Sequence, residues 1–247
     1  MIDREKLNYI INILKLSNKD LDVELLYNVF TAMQHNPNLE DDILDSFSNN
    51  QVKAKSRIVN NLDKLNLLNE DTEVVIWGCW YGSVLIPLLH DKVKKITAFD
   101  LDSDSITVGH NQILKDYNKV TWITSDIFEK YRDNVYDTCD IFINTSCEHM
   151  KPMNLWGPIG PRSIWKDHPF IPDWLDHKCY TTPWWTRVNP NAHFAFTSND
   201  MFDIEGHTNC VNNIEDFKLQ LPDGSTVLIE DELVDERGTR FMLIGKL

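Results

Sequence analysis

The run Val74-Val75-Ile76-Trp77-Gly78-Cys79-Trp80-Tyr81-Gly82-Ser83 constrains this chain more than any other stretch. A β-branched apolar segment breaks into two glycines four residues apart, then resumes at Val84-Leu85-Ile86, as a buried strand turning sharply into a helix would. Glycine serves such a turn because a side chain would block the backbone bend or the approach of a ligand. The helix N-terminus beyond it offers free N–H groups to a carboxylate, a phosphate or a ribose hydroxyl. An ordinary strand–helix turn is the alternative, so the other strand ends must decide.

Ahead of this run the periodicity is helical. Leu7, Ile10, Ile11 and Leu14 fall on one face. Asn18 reads as the N-cap of a second helix carrying Leu25, Leu26, Val29, Phe30 and Met33, and Pro37 stops it. Asn38 reads as the cap of a third helix, and Val52, Ile58, Val59, Leu62 and Leu65 mark a fourth. Residues 1–70 are therefore expected to form a helical extension, and 71–247 the main domain.

From residue 73 strands and helices alternate. The expected strands are 73–77, 95–99, 120–124, 140–144 and 193–197, with helices at 83–90, where Pro87 limits the length, and at 105–117. Repeated β-α units imply a parallel sheet with right-handed crossovers. The end differs: 226–233 and 239–246 read as two strands joined by a short acidic connection. The fold class expected is α/β, a doubly wound, mostly parallel sheet ending in an antiparallel hairpin.

In such a sheet ligands bind beyond the carboxyl ends of the strands. The second strand ends at Asp100-Leu101, eighteen residues past Gly82, near the spacing of a ribose-binding acid. The third ends at Asp126-Ile127, suited to accept from an exocyclic amine, and the fourth at Asn144, leading into Cys147-Glu148-His149. Each acid alone also reads as a helix cap. Together the four ends point to a nucleotide-type site.

These residues resemble the class I S-adenosylmethionine-dependent methyltransferases over roughly residues 50–247. The resemblance implies a Rossmann-like sheet with an antiparallel last strand, matched by the Arg240–Gly245 ending, and S-adenosylmethionine as cofactor. It implies that Gly78, Cys79, Trp80 and Gly82 form the cofactor turn, that Asp100 holds the ribose, and that Asp126 meets the adenine amine. Leu101 and Ile127 would flank the adenine ring, and Asn144 completes the cofactor set. Two positions depart from the family pattern: Ile76 stands where an acid normally ends the first strand, and Trp80 replaces the middle glycine. Lys55 or Arg57 is then expected to take the cofactor's methionyl carboxylate.

The chemistry beside the transferred methyl would fall to Glu148 and His149 as candidate general bases. The alternative makes Glu148 a cap and His149 a core residue, since an in-line displacement on a sulfonium can proceed by positioning alone. Seven of the ten prolines and five of the eight tryptophans lie at about 150–190, an aromatic insertion too rich in indole for a disordered linker. Within it Trp156, Trp184, Trp185 and Arg187 are candidate substrate contacts, indole faces for a flat or cationic group and an arginine for an anionic one. A satellite core or partner interface is the competing reading.

Composition narrows the partners. The formal net charge is −14, which disfavours a nucleic-acid substrate, because phosphate contacts dominate such binding. A small-molecule acceptor is expected, and a protein partner stays open. No apolar run is of membrane-spanning length and no secretory layout opens the chain, so the cytoplasm is the expected location and no membrane the expected partner. The five cysteines are scattered, as reduced thiols would be. Cys147-x-His149, His177-x-Cys179 and His207-x-x-Cys210 supply soft ligands, but single-residue gaps are atypical of zinc, and no metal is expected. Two rivals remain beside methyl transfer: a non-catalytic methyltransferase-like binding protein, and transfer of the cofactor's aminocarboxypropyl group.

Overall fold

The computed structural model describes residues 4–16, 23–127, 136–155, 185 and 188–247. Seven strands form a mixed sheet in the order β3-β2-β1-β4-β5-β7-β6. The chain divides into two compact units, Met1–Thr124 and Ser125–Leu247.

In the first unit four helices, α1 (Arg4–Leu14), α2 (Val23–His35), α3 (Glu40–Asp45) and α4 (Asn49–Lys64), precede β1 (Glu73–Trp77). The chain then runs through α5 (Leu85–His90), β2 (Lys95–Asp100), α6 (Ser103–Val108) and β3 (Val120–Thr124). Strands β1, β2 and β3 are parallel, with Trp77 opposite Phe99 and Asp100 opposite Thr124. Val74, Val75, Ile76 and Trp77 are all buried, which is why β1 reads as a continuous apolar run rather than an alternating one. Pro87 sits in the first turn of α5, where its missing N–H costs nothing, and the helix ends after six residues.

The helices are tied to the β-α part by amide and hydroxyl groups. Asn36 Nδ2 donates to Gln112 Oε1 at 2.8 Å, and Ser83 Oγ to Ser46 O at 3.2 Å. Ser48 caps α4 by accepting the Gln51 N–H. Two expectations shift and a third is untested. Asn38 does not cap the third helix: Pro37–Leu39 is a short 3-10 turn, and α3 starts behind Leu39 without a side-chain cap. Asn18 lies outside the described residues. The helix expected at 105–117 is α6 followed by a π-helical turn, Gly109–Ile113. There Gly109 passes so close to the Tyr81 carbonyl that a Cβ would lie 2.6 Å from its oxygen.

In the second unit β4 (Ile141–Asn144) runs parallel to β5 (His193–Asn199), with Asn144 opposite Phe196. Helix α7 (Ile214–Lys218) leads to β6 (Thr226–Asp235) and β7 (Gly238–Lys246), β7 being antiparallel to both β5 and β6. Phe142, Phe194 and Phe196 are fully buried, and the last two stack at 4.8 Å. Strand β6 alternates exposed and half-buried residues, the period-two pattern of a half-covered strand, and slips by one residue between Val227 and Ile229. Its acidic residues Glu230, Asp231 and Glu232 discourage pairing with another chain. Among the described residues no helix is long and apolar enough to cross a membrane.

Candidate functional site

The turn after β1 takes three left-handed residues in alternation: Gly78 (φ 64°), Trp80 (φ 52°) and Gly82 (φ 65°). Trp80 thus keeps the backbone shape a glycine would give, at a cost of about 1–2 kcal/mol for a residue with a Cβ. The glycine at Gly82 has no substitute. A Cβ there would collide with Ile86 Cδ1 and lie 2.9 Å from Trp122. The turn is closed by Gly82 N–H donating to Cys79 O at 2.8 Å and anchored by Cys79 N–H donating to Phe99 O at 2.9 Å.

Asp100, at the end of β2, is tied into the same turn. Its Oδ2 accepts the Trp80 N–H at 2.6 Å and its Oδ1 the Asp102 N–H at 3.0 Å. Each carboxylate oxygen keeps a further lone pair for a hydroxyl donor. The residue that caps α6 is Asp102 instead, accepting from Asp104 N at 2.9 Å and Ser105 Oγ at 2.5 Å. Burial alone would raise the Asp102 carboxyl, but the Ser105 hydroxyl and the backbone N–H groups outweigh it and hold the group below the ordinary range.

Lys55 belongs to the same neighbourhood although it comes from α4. Burial pushes the Cys79 thiol well up, the Asp100 charge adds to that, and the Lys55 ammonium opposes both. The thiol therefore stays protonated and unreactive, while Lys55, itself largely buried, carries a positive charge close to the turn. Leu101 follows Asp100 and is 72% exposed, a large apolar side chain left in solvent. The first unit thus brings Lys55, Gly78, Cys79, Trp80, Gly82, Asp100 and Leu101 into one region.

The remaining expected residues lie in the second unit. Asp126 is half-buried and Ile127 buried, with the Ile127 carbonyl accepting from Tyr136 Oη at 3.3 Å. Asn144 is fully buried at the end of β4. Its Oδ1 accepts the Ser146 N–H at 2.9 Å, and its Nδ2 faces Met150 Sδ at 3.4 Å, so the side chain shapes its own loop. Trp185 is half-buried. Trp156, Trp184 and Arg187 lie outside the described residues, as do His177 and Cys179.

Beyond Asn144 a 3-10 turn, Cys147–His149, places Glu148 inward and His149 outward. Because β4 and β5 are parallel, the loops leaving them emerge at one edge, and the loop after β5 brings His207 against His149. The two imidazoles meet edge to face at 4.6 Å. Donor atoms of Glu148, His149 and His207 all lie within 4.8 Å of one another. His149 Nδ1 lies 3.0 Å from Gly206 O and His207 Nδ1 3.1 Å from Met201 O. A carbonyl only accepts, so both rings carry the proton on Nδ1.

Burial, and then the neighbouring His149 ring, lowers the His207 pKa, against the raising effect of the Met201 carbonyl. Burial and the Glu148 charge raise Cys147 well above the ordinary thiol range. The two loops are laced together as well: Thr208 N–H and Asn209 N–H both donate to Glu148 O at 2.9 Å, and Asn209 Nδ2 to Cys147 O at 3.1 Å. Nothing in the sequence joins His207 to His149, since the pairing of two strands creates the contact.

This sheet order, with β7 antiparallel beside β5, is a Rossmann-like methyltransferase fold. No family model matches the chain, and no curated protein matches it. Among solved structures it is similar to the N-methyltransferase NodS from Bradyrhizobium japonicum in complex with S-adenosyl-L-homocysteine. The TM-score is 0.57 at 11% identity, covering 89% of this chain and 98% of that one. An rRNA methylase from Streptococcus thermophilus aligns at 13% identity over 79% of this chain and 95% of that chain, with a TM-score of 0.47. At such identities the likeness to NodS establishes the fold.

Proposed function

We propose that the protein is an S-adenosylmethionine-dependent methyltransferase acting on a small-molecule or aromatic acceptor in the cytoplasm. The observation that carries this reading is the union of the left-handed Gly78–Gly82 turn with the Asp100 carboxylate, on a fold shared with an N-methyltransferase solved with the product of that cofactor. When bound, S-adenosylmethionine supplies an activated methyl group on a sulfonium.

The chain's own residues do the rest. Asp100 offers its free lone pairs to the ribose hydroxyls while its backbone bonds fix its orientation. Leu101 takes an adenine face, and the roles of Ile127 as an adenine neighbour and of Asp126 as acceptor for its amine are those the resemblance implies. Lys55 pairs with the methionyl carboxylate, replacing the anchor lost where Ile76 is buried at the end of β1. Asn144 holds the β4 exit in shape. Trp185 and, outside the described residues, Trp156, Trp184 and Arg187 keep the acceptor-binding role that their residue types suggest, and Glu148 and His149 that of candidate bases. In-line attack by the acceptor then needs alignment more than a strong base.

Calorimetry with S-adenosylmethionine and S-adenosylhomocysteine tests the reading, and absence of binding at millimolar ligand overturns it. A second reading, a non-catalytic scaffold that retains the fold, draws on two observations: the buried Ile76 and the left-handed Trp80. Bound cofactor with no turnover on a broad acceptor panel, together with a stable protein partner, would favour it. Appearance of methylthioadenosine instead of S-adenosylhomocysteine would identify aminocarboxypropyl transfer.

A further inference from the structure

We infer that Glu148, His149 and His207 form a binding site for a divalent transition-metal cation of the zinc–manganese range. Their donor atoms already lie within 4.8 Å of one another. An ion about 2.1 Å from each ligand needs them roughly 3–4 Å apart, a closure that side-chain rotation of about an ångström supplies.

Three features separate this triad from a chance meeting of polar groups. Both imidazoles donate Nδ1–H to a backbone carbonyl, Gly206 O for His149 and Met201 O for His207. That leaves Nε2 of each ring as the nitrogen available to a metal, the arrangement by which outer hydrogen bonds orient metal-binding histidines. The carboxylate is also buried, Glu148 being 6% exposed, so water screens its attraction for a cation less than it would at the surface. Finally, the loop bearing His207 is fastened to Glu148 by two backbone hydrogen bonds at 2.9 Å, so the ligands are held before any ion arrives.

Two imidazoles and one carboxylate suit zinc, manganese, iron, cobalt or nickel, and suit magnesium and calcium poorly. The neighbouring thiols stay outside the ligand set. Cys147 is buried and faces the Asn144 carbonyl, and Cys210 Sγ donates to Asn199 Oδ1 at 3.3 Å and meets His207 at Nδ1, 3.6 Å away, the nitrogen that faces the Met201 carbonyl. Spacing along the sequence argued against a metal, and it did so because the ligands come from two loops that only the β4–β5 pairing joins. Three protein ligands leave positions open to water or to a substrate heteroatom. The site itself does not depend on methyl transfer. If that reaction is correct, the acceptor's oxygen or nitrogen would occupy an open position, and Glu148 and His149 would act as ligands rather than as bases.

The test is calorimetric titration of the full, chelator-treated chain with Zn²⁺, with Mg²⁺ as control, and absorption spectroscopy with Co²⁺. One Zn²⁺ per chain and visible Co²⁺ bands are expected, with Mg²⁺ binding far more weakly. His149→Ala, His207→Ala and Glu148→Gln should each weaken Zn²⁺ affinity at least tenfold, while His90→Ala, on α5 of the other compact unit and outside the cluster, should not. Far-UV circular dichroism identifies any variant that fails to fold, and Glu148→Gln keeps the shape of the side chain. Absence of Zn²⁺ binding by wild type overturns the inference, and so does binding that survives all three substitutions. Titration of the metal-free chain with S-adenosylhomocysteine separates the two readings: binding there without Zn²⁺ binding sinks the metal site alone, and the converse sinks the cofactor alone.

Discussion

The Trp80 backbone N–H donates to Asp100 Oδ2 at 2.6 Å, bridging the end of β2 to a turn twenty residues earlier. The bond ties the most strained residue of the turn to the acid proposed to hold the cofactor's ribose. Asp100→Asn keeps the shape but turns a charge-assisted bond into a neutral one. We expect S-adenosylhomocysteine affinity to fall about tenfold, or about 1.4 kcal/mol, and further in Asp100→Ala. Calorimetry on both variants reads this directly, and unchanged affinity would remove Asp100 from the site.

The left-handed backbone at Trp80 can be tested apart from its indole. Trp80→Ala and Trp80→Gly both delete the ring, and only alanine retains the steric cost of φ 52°. The glycine variant should be the more stable of the two by about 1 kcal/mol. Denaturant unfolding of the pair measures it, and a more stable alanine variant would mean that the turn relaxes when the ring is gone.

Asn209 and Gln220 exchange two side-chain hydrogen bonds, at 2.8 and 3.0 Å, while Asn209 also reaches Cys147 O. Each alanine variant should lose about 1–2 kcal/mol of stability. Because the partners share bonds, the double variant should lose less than the sum, a coupling of at least about 0.5 kcal/mol in a double-mutant cycle. Strict additivity would show that the pair is not formed in solution.

Asp235 accepts from Arg240 Nε at 3.0 Å and from Arg237 N–H at 2.8 Å, with most of its side chain buried. Burial raises its carboxyl, but these two donors and the arginine charges outweigh it, and the folded pKa lies below the ordinary aspartate range. A depressed folded pKa contributes stability that is present above the unfolded value and lost as pH falls through the folded one. Asp235→Asn should therefore be less stable than wild type by about 1–2 kcal/mol at neutral pH, with the gap closing in acid. Thermal unfolding across that range checks it, and a gap independent of pH would assign the loss to packing.

Much of the fold was legible because burial writes itself into the chain. The apolar run of β1 gives its strand span, 73–77, and the expected strands at 120–124 and at the C-terminal hairpin lie within a residue or two of the observed ones. Local chemistry was less legible where one residue suits two roles. Asp100 looked able to cap a helix as well as to hold a ribose, and the backbone path shows that Asp102 caps α6 while Asp100 turns back to Trp80. The π-helical turn at Gly109 was not foreseen, since it follows from the approach of a carbonyl at Tyr81.

By itself the sequence determined the order of strands and helices, the glycine turn and the acids that follow β2 and β3, because hydrophobic period and turn chemistry are local. Tertiary structure alone decided that Trp80 would adopt a glycine's conformation and that His207 would face His149 and Glu148. Those relations depend on the pairing and packing of distant segments, which no local pattern encodes.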